Sequence, residues 1–289
     1  MPILAQTAAP PHPSPTPHPV GIVADDCFPL NSLSPEDRLV AERWLRDVLD
    51  KEALYTVASH LKPASLAFIA GRISVEEPTS QELSDFAQAV RVLSVWRCGD
   101  LAATVLSGAV VVDGRRVLHG VLFRRSLIKQ VVLTFPAVFG AAGIHPDLPA
   151  EQILATTELL PPPLRHRAWG HLLGYPPYAV DFFARADAQQ RSATAPRPDS
   201  PRPLVPRDFF SIPTFAGETG HFVWAVPKGH QPTPEDLAIR TAAAPVLARY
   251  RELRASFLAD GQPGVAALAR ALACPSGACT APIAIPLVP

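Results

Sequence analysis

The sequence is short of charge, of aromatic side chains and of sulfur. Charged residues make up 18% of its 289 positions, below the roughly one quarter usual in soluble domains. Met1 is its sole methionine, and Lys appears four times against 22 arginines. With abundant Ala and Pro, that bias points to a GC-rich bacterial genome. Basic and acidic residues balance at 26 each. Such a chain has no net field to gather nucleic acid or anionic lipid, so no nucleic-acid partner is expected. The short clusters Arg115-Arg116, Arg124-Arg125 and Arg165-His166-Arg167 read as solvated faces or carboxylate partners. No apolar run reaches the roughly 18–20 residues of a membrane span, so no transmembrane segment is expected. The longest runs, 101–112 and 131–144, read as buried elements.

Catalytic signatures are also missing. There is no Walker-type phosphate loop, no dinucleotide fingerprint, no H-E-x-x-H helix and no G-x-S-x-G elbow. No cofactor is expected, and the possible partners are a protein or a small-molecule ligand. Four cysteines allow three pairings. Cys274 and Cys279 enclose four residues and would close a small loop in an oxidising compartment. Their spacing is not the C-x2-C of a zinc ribbon, and no metal site is expected. The Pro/Thr/Ser/Ala tract before Pro19 resembles the stretch that follows a signal-peptide cleavage site, although no charged n-region precedes it. Extracytoplasmic and cytoplasmic locations both stay open.

What is present is proline, 34 of them, which divides the chain into short elements. Residues 1–33 read as a disordered Pro-rich lead-in. Residues 34–272 read as one α+β domain, mainly helical, with a Pro-rich loop at 191–206. Residues 273–289 read as a flexible tail. Ser34-Pro35-Glu36-Asp37 and Thr233-Pro234-Glu235-Asp236 both carry helix-start chemistry: a capping hydroxyl, Pro in the first turn, then acids. The first helix runs toward Leu61, with a break near Asp50, and stops at Pro63. A second, from Thr79-Ser80 to Gly99, has Leu83, Phe86, Val90 and Leu93 as its expected core stripe. Asp113-Gly114 between β-branched runs marks a two-residue hairpin. Ser126 is placed to cap a short helix. Two further helices meet at Gly174-Tyr175-Pro176-Pro177. Phe209–Phe215 and His221–Val226 read as a second hairpin, and the two hairpins together suggest one antiparallel sheet of about four strands.

Three clusters carry titratable side chains. The first holds His166, Trp169, His171, Tyr175, Tyr178 and Asp181. On a helix, Gly170 would open a groove beside Trp169 and His171. His171 would then act as acid/base with Asp181 as its orienter, and Trp169, Tyr175 and Tyr178 as binding residues. The plainer reading makes the apolar members core and His171 a half-buried polar tip. The second cluster is Glu218, His221, Lys228 and His230, with the two histidines at opposite ends of a strand. The third is Asp50-Lys51-Glu52 with Tyr55, His60 and Lys62. Asp50 and Glu52 do not share a helical face and so make no paired-carboxylate site, Glu52 and Tyr55 are spaced to touch, and His60 suits a helix C-terminus. The leading expectation is a non-catalytic binding or interaction domain. The alternative is a hydrolase using His171 and Asp181, or a metal held by His166, His171 and His221.

Overall fold

The computed structural model describes residues 26–193 and 205–274. The fold is mixed α+β, with ten α-helices and five strands among the described residues. Most of the expected Pro-rich loop and the tail beyond Cys274 lie outside them.

Helix α1 (Pro35–Asp50) starts as its sequence dictates: the Ser34 side chain accepts from the Asp37 amide, and Pro35 fills the first turn. The expected break at Asp50 separates it from α2 (Ala53–Val57). Residues 26–33 were read as part of the loose lead-in. They are instead packed, with Cys27, Phe28 and Leu30 buried. A disulfide joins Cys27 to Cys98, 71 residues on. In the chain-entropy model, closing a loop of that length is worth about 4 kcal/mol before strain.

Strand β1 (Ala64–Ser74) follows Pro63. It has no counterpart in the sequence reading, because Ala-Ser-Leu-Ala-Phe-Ile-Ala-Gly has no clean two-residue alternation. Its register against β3 slips twice, at Ser65/Phe68 and at Ile69/Gly71. The Phe68 ring covers Gly120 on β3, where an added Cβ would come within 2.3 Å of a ring carbon. Helix α3 (Ser80–Ser94) begins with a capping box between Thr79 and Glu82. Strands β2 (Leu101–Val112) and β3 (Arg115–Arg124) form the expected hairpin. Asp113 and Gly114 both have positive φ, 51° and 70°, as a two-residue turn of this type needs. The sheet order is β1-β3-β2, antiparallel throughout.

Helices α4 (Arg125–Thr134), α5 (Pro136–Phe139), α6 (Ala150–Glu158), α7 (Pro162–Leu172) and α8 (Pro177–Ser192) follow. Ser126 does not cap α4; its hydroxyl donates to Asp100. Strands β4 (Arg207–Ile212) and β5 (Phe222–Pro227) pair only with each other, so the expected single sheet is two sheets of three and two strands. Pro213 falls just outside β4, where its missing N–H costs no ladder bond. Helix α9 (Pro234–Phe257) opens on a Thr233/Asp236 capping box, and α10 (Val265–Ala273) closes the described chain.

The three-stranded sheet lies between two apolar clusters. On one side Ala67, Leu101 and Leu122 join Leu45 and Leu49 of α1, Val92 and Leu93 of α3, Trp96, and Leu268 of α10. On the other, Ala102, Val121 and Phe123 meet Ile128, Ile153, Trp169 and Leu172. The small sheet packs Phe222 and Trp224 against Tyr55 and Ala179 in a third cluster. The expected α3 core stripe is mostly on the surface. Leu93 is buried, but Leu83, Phe86 and Val90 are 50%, 37% and 43% exposed. The helix seats only its C-terminal half, through Ala89, Val92 and Leu93.

Candidate functional site

The first sequence cluster is split by the fold. His171 sits at the end of α7 and is nearly buried, its ring stacked on Phe135 at 3.7 Å between centroids. Its Nδ1 has no hydrogen-bond partner. Burial pushes its pKa down to about 4, against a smaller upward pull from Asp181. Asp181 itself pairs with Arg167 at 3.3 Å and shares no hydrogen bond with His171. His166 lies 3.2 Å from Asp187 and presents its edge-on contact to Phe183. The groove expected beside Gly170 is filled: a Cβ there would meet Val180 Cγ2 of α8 at 2.7 Å. Gly170 is needed for close helix packing, not for an opening. Trp169 Nε1 donates to Glu158 at 2.7 Å, and the same carboxylate accepts from the Ala109 amide. That pair of bonds clamps α6 and α7 to β2.

Tyr175 and Tyr178 look instead toward the small sheet, where a buried polar cluster forms. Lys62, in the loop before β1, is fully buried. Its Nζ lies 3.0 Å from Glu52 and donates to the Leu173 carbonyl at 3.2 Å. It stands 4.2 Å above the Phe222 ring and 5.2 Å from the Tyr175 ring. Desolvation lowers the Lys62 pKa, and Glu52 opposes that shift. A buried ammonium is tolerated because a carboxylate, a carbonyl and two aromatic faces replace its water. Burial raises the Tyr175 phenol far above its ordinary value, with Glu52 adding to the effect.

Beside it, Asp236 is a buried hub. It accepts from Tyr178 at 2.5 Å, from Trp224 Nε1 at 3.2 Å and from the Thr233 amide at 2.9 Å. His230 Nε2 lies 2.7 Å from Oδ2, the oxygen that also accepts from the Thr233 amide, while Tyr178 and Trp224 share Oδ1. Burial pushes the Asp236 carboxyl up, but the bonds from Tyr178, Thr233 and His230 outweigh it and hold the pKa below the usual range. Every lone-pair direction of this carboxylate is used, which suits a helix cap and leaves little for a substrate. Tyr178 and His230 came from separate sequence clusters, and only the fold brings them together. His221, at the other end of β5, stays apart from His230, as the strand length requires.

The third cluster is reassigned. Glu52 pairs with Lys62, while Tyr55 donates to the Pro213 carbonyl. Asp50 accepts from Tyr250 at 2.7 Å and from Arg254 at 2.7 and 3.0 Å, tying the end of α1 to α9. His60 has a buried Nε2 without a partner, and burial lowers its pKa, with Arg124 adding to the shift. The α2 carbonyls of Thr56 and Val57 are taken by Arg124, which also pairs with Asp100 at 2.8 Å.

One further grouping is of sulfur. Cys274, at the end of α10, has its Sγ 3.2 Å from Cys98 Sγ and 4.0 Å from Cys27 Sγ. Among the described residues these are the donor atoms close enough together to hold a metal ion. Two of them are bonded to each other, and Cys274 is itself disulfide-bonded. A hollow of about 210 Å³ lies elsewhere, lined by Ala58, Pro245, Val246, Arg249 and Leu272. It offers one cation and otherwise apolar walls.

No family model matches the chain, and no curated protein or solved structure matches it. Lys62 and Asp236, the centres of the buried polar cluster, carried no signal as site residues. Asp236 was legible only as a capping acid, and Lys62 only as a member of the cluster around Asp50, with no role of its own.

Proposed function

We propose that the protein is a non-catalytic interaction domain that binds a protein partner and works in an oxidising compartment. The observation that carries this reading is the apolar face that, among the described residues, is exposed on α3. Leu83, Phe86 and Val90 lie along one flank of that helix, and all are exposed. The hairpin tip beside it adds Val75 and Val110 to Val112, also exposed. The two parts are adjacent: Arg115 of β3 pairs with Glu82 of α3 at 3.3 Å, and the Val75 amide donates to the Gly114 carbonyl at 3.0 Å. Clustered apolar side chains of this kind mark partner surfaces more often than idle ones. Glu76, Glu77 and Asp85 border the face and are exposed. They fit a protein partner with a basic rim and disfavour an anionic lipid surface. The Cys27–Cys98 disulfide supports an oxidising location.

The hydrolase alternative has less behind it. Its proposed base, His171, is stacked on Phe135 and held neutral, and its proposed orienter, Asp181, faces Arg167.

The test is site-specific photocrosslinking in the producing cell. A photoreactive phenylalanine analogue replaces Phe86, and a control replaces Phe209, which is also exposed but lies on the small sheet. A discrete protein adduct from position 86, several-fold stronger than from 209, is the expected result. No adduct from 86, or the same pattern from both sites, overturns the reading.

A further inference from the structure

We propose that the hollow between α2, α9 and α10 binds a small apolar monocarboxylate. It measures about 210 Å³ and is lined by Ala58, Pro245, Val246, Arg249 and Leu272. Ala58 and Val246 pack onto the apolar cluster that contains Leu272, so the floor of the hollow is the core itself. Pro245 stands inside α9, a helix of 24 residues. Pro carries no N–H, so the Thr241 carbonyl one turn back receives no helical bond, and the Pro ring takes that space. The least favourable residue for a helix interior thus forms one wall of the hollow. Its ring is rigid, so the wall is in place before a ligand arrives and little ordering is needed to bind one. None of the five residues belongs to the α3 face, and the proposal does not rest on that one.

Size, walls and charge select the ligand. An apolar cavity of about 150 Å³ holds a benzene molecule, so this hollow takes a ring or a short chain and no long acyl tail. Four of its side chains, Ala58, Pro245, Val246 and Leu272, carry no hydrogen-bonding group. They offer nothing to a sugar or a nucleotide, whose polar groups would lose their water without replacement. Arg249 follows Pro245 by one turn of α9 and so shares its face. It is exposed, and among the described residues no acidic side chain pairs with it. One Nη donates to the Ala271 carbonyl of α10 at 3.4 Å, which holds the guanidinium at the edge of the hollow. Its remaining N–H groups match a carboxylate, and a planar fork binds that group in two parallel bonds. A ligand amine would meet a like charge instead.

The experiment titrates the full chain at pH 7 with phenylacetate, its neutral isostere phenylacetamide and the cation phenethylamine, and follows binding by saturation-transfer NMR. Phenylacetate should saturate the chain and bind on the order of tenfold more tightly than phenylacetamide, with phenethylamine weakest. Arg249→Gln, at an exposed position, should weaken phenylacetate on the order of tenfold and leave phenylacetamide unchanged, because only the charge-assisted bonds are lost. Ala58→Leu, which extends a side chain into the hollow, should weaken both. No saturable binding of phenylacetate, or equal binding of all three ligands, overturns the proposal. An Arg249→Gln chain that binds phenylacetate as tightly as the natural chain overturns the role of the cation and with it the ligand class. Undiminished binding by a folded Ala58→Leu chain places the ligand elsewhere and overturns the site. Arg249→Gln decides the matter if Ala58→Leu loses its circular dichroism spectrum.

Discussion

His171 carries a cost that appears only in acid. Its pKa is about 4 in the folded chain, chiefly because burial against Phe135 penalises the charged ring. The ordinary value is about 6.5. As pH falls through 6.5 the unfolded chain takes up a proton that the folded chain refuses until pH 4. The stabilising contribution is therefore complete above pH 6.5 and lost between 6.5 and 4, on the order of 3 kcal/mol over the whole window. Burial lowers the pKa values of His60, His119 and His166 as well, so they act in the same direction. Asp181 and Arg167 are the charged groups that act on His171, and they pull in opposite senses. Replacing His171 with Phe keeps a ring on Phe135 and removes the titration. Urea midpoints measured across pH 7 to 4 should fall less steeply for His171→Phe than for the natural chain. Equal slopes would contradict the assignment.

Two glycines decide how the elements fit. Gly170 lets α7 lie against Val180 of α8, and Gly174 ends that helix at φ +74° with its Cα against the Leu61 carbonyl. Gly170→Ala forces a buried β-branched side chain to move and should cost about 1–3 kcal/mol. Gly174→Ala should cost more, because left-handed backbone is strained for Ala and the new Cβ would meet a backbone oxygen at 2.3 Å. Adding Val180→Ala should recover part of the first loss and none of the second. Denaturant midpoints of the four chains check the order. Element identity was largely legible in sequence at this scale. Ser34, Thr79 and Thr233 start helices, Gly174 stops one, and Asp113-Gly114 turns a hairpin, each for a local reason. Strand β1 was not legible, because its Ala- and Gly-rich run gains its place from Phe68 over Gly120 and from pairing with a strand some 50 positions later. The α3 stripe misled for the converse reason. Its periodicity is that of a core face, yet among the described residues Leu83, Phe86 and Val90 stay on the surface.

The whole molecule is joined where its three apolar clusters meet, and the joints are polar. Arg124 binds the end of β3 to α2, Asp50 binds α1 to α9, and Lys62 links α2, the α7–α8 turn and the small sheet. None of these partnerships was readable from spacing, since each spans elements that only the tertiary fold brings together. The same holds for Tyr178 with His230 and Asp236. The titratable residues that drew attention in the sequence thus serve mainly to hold layers together, and the α3 face proposed above as a partner surface lies away from them. The most direct test of that division is the unfolding free energy of Glu52→Gln. It leaves the Lys62 ammonium buried without its carboxylate, and a broken buried pair costs about 3–5 kcal/mol. The expected result is a loss of that order, mostly recovered when Lys62→Met is added. A Glu52→Gln chain as stable as the natural one, or more so, would contradict the account, because groups kept for chemistry are the ones whose removal leaves stability unharmed.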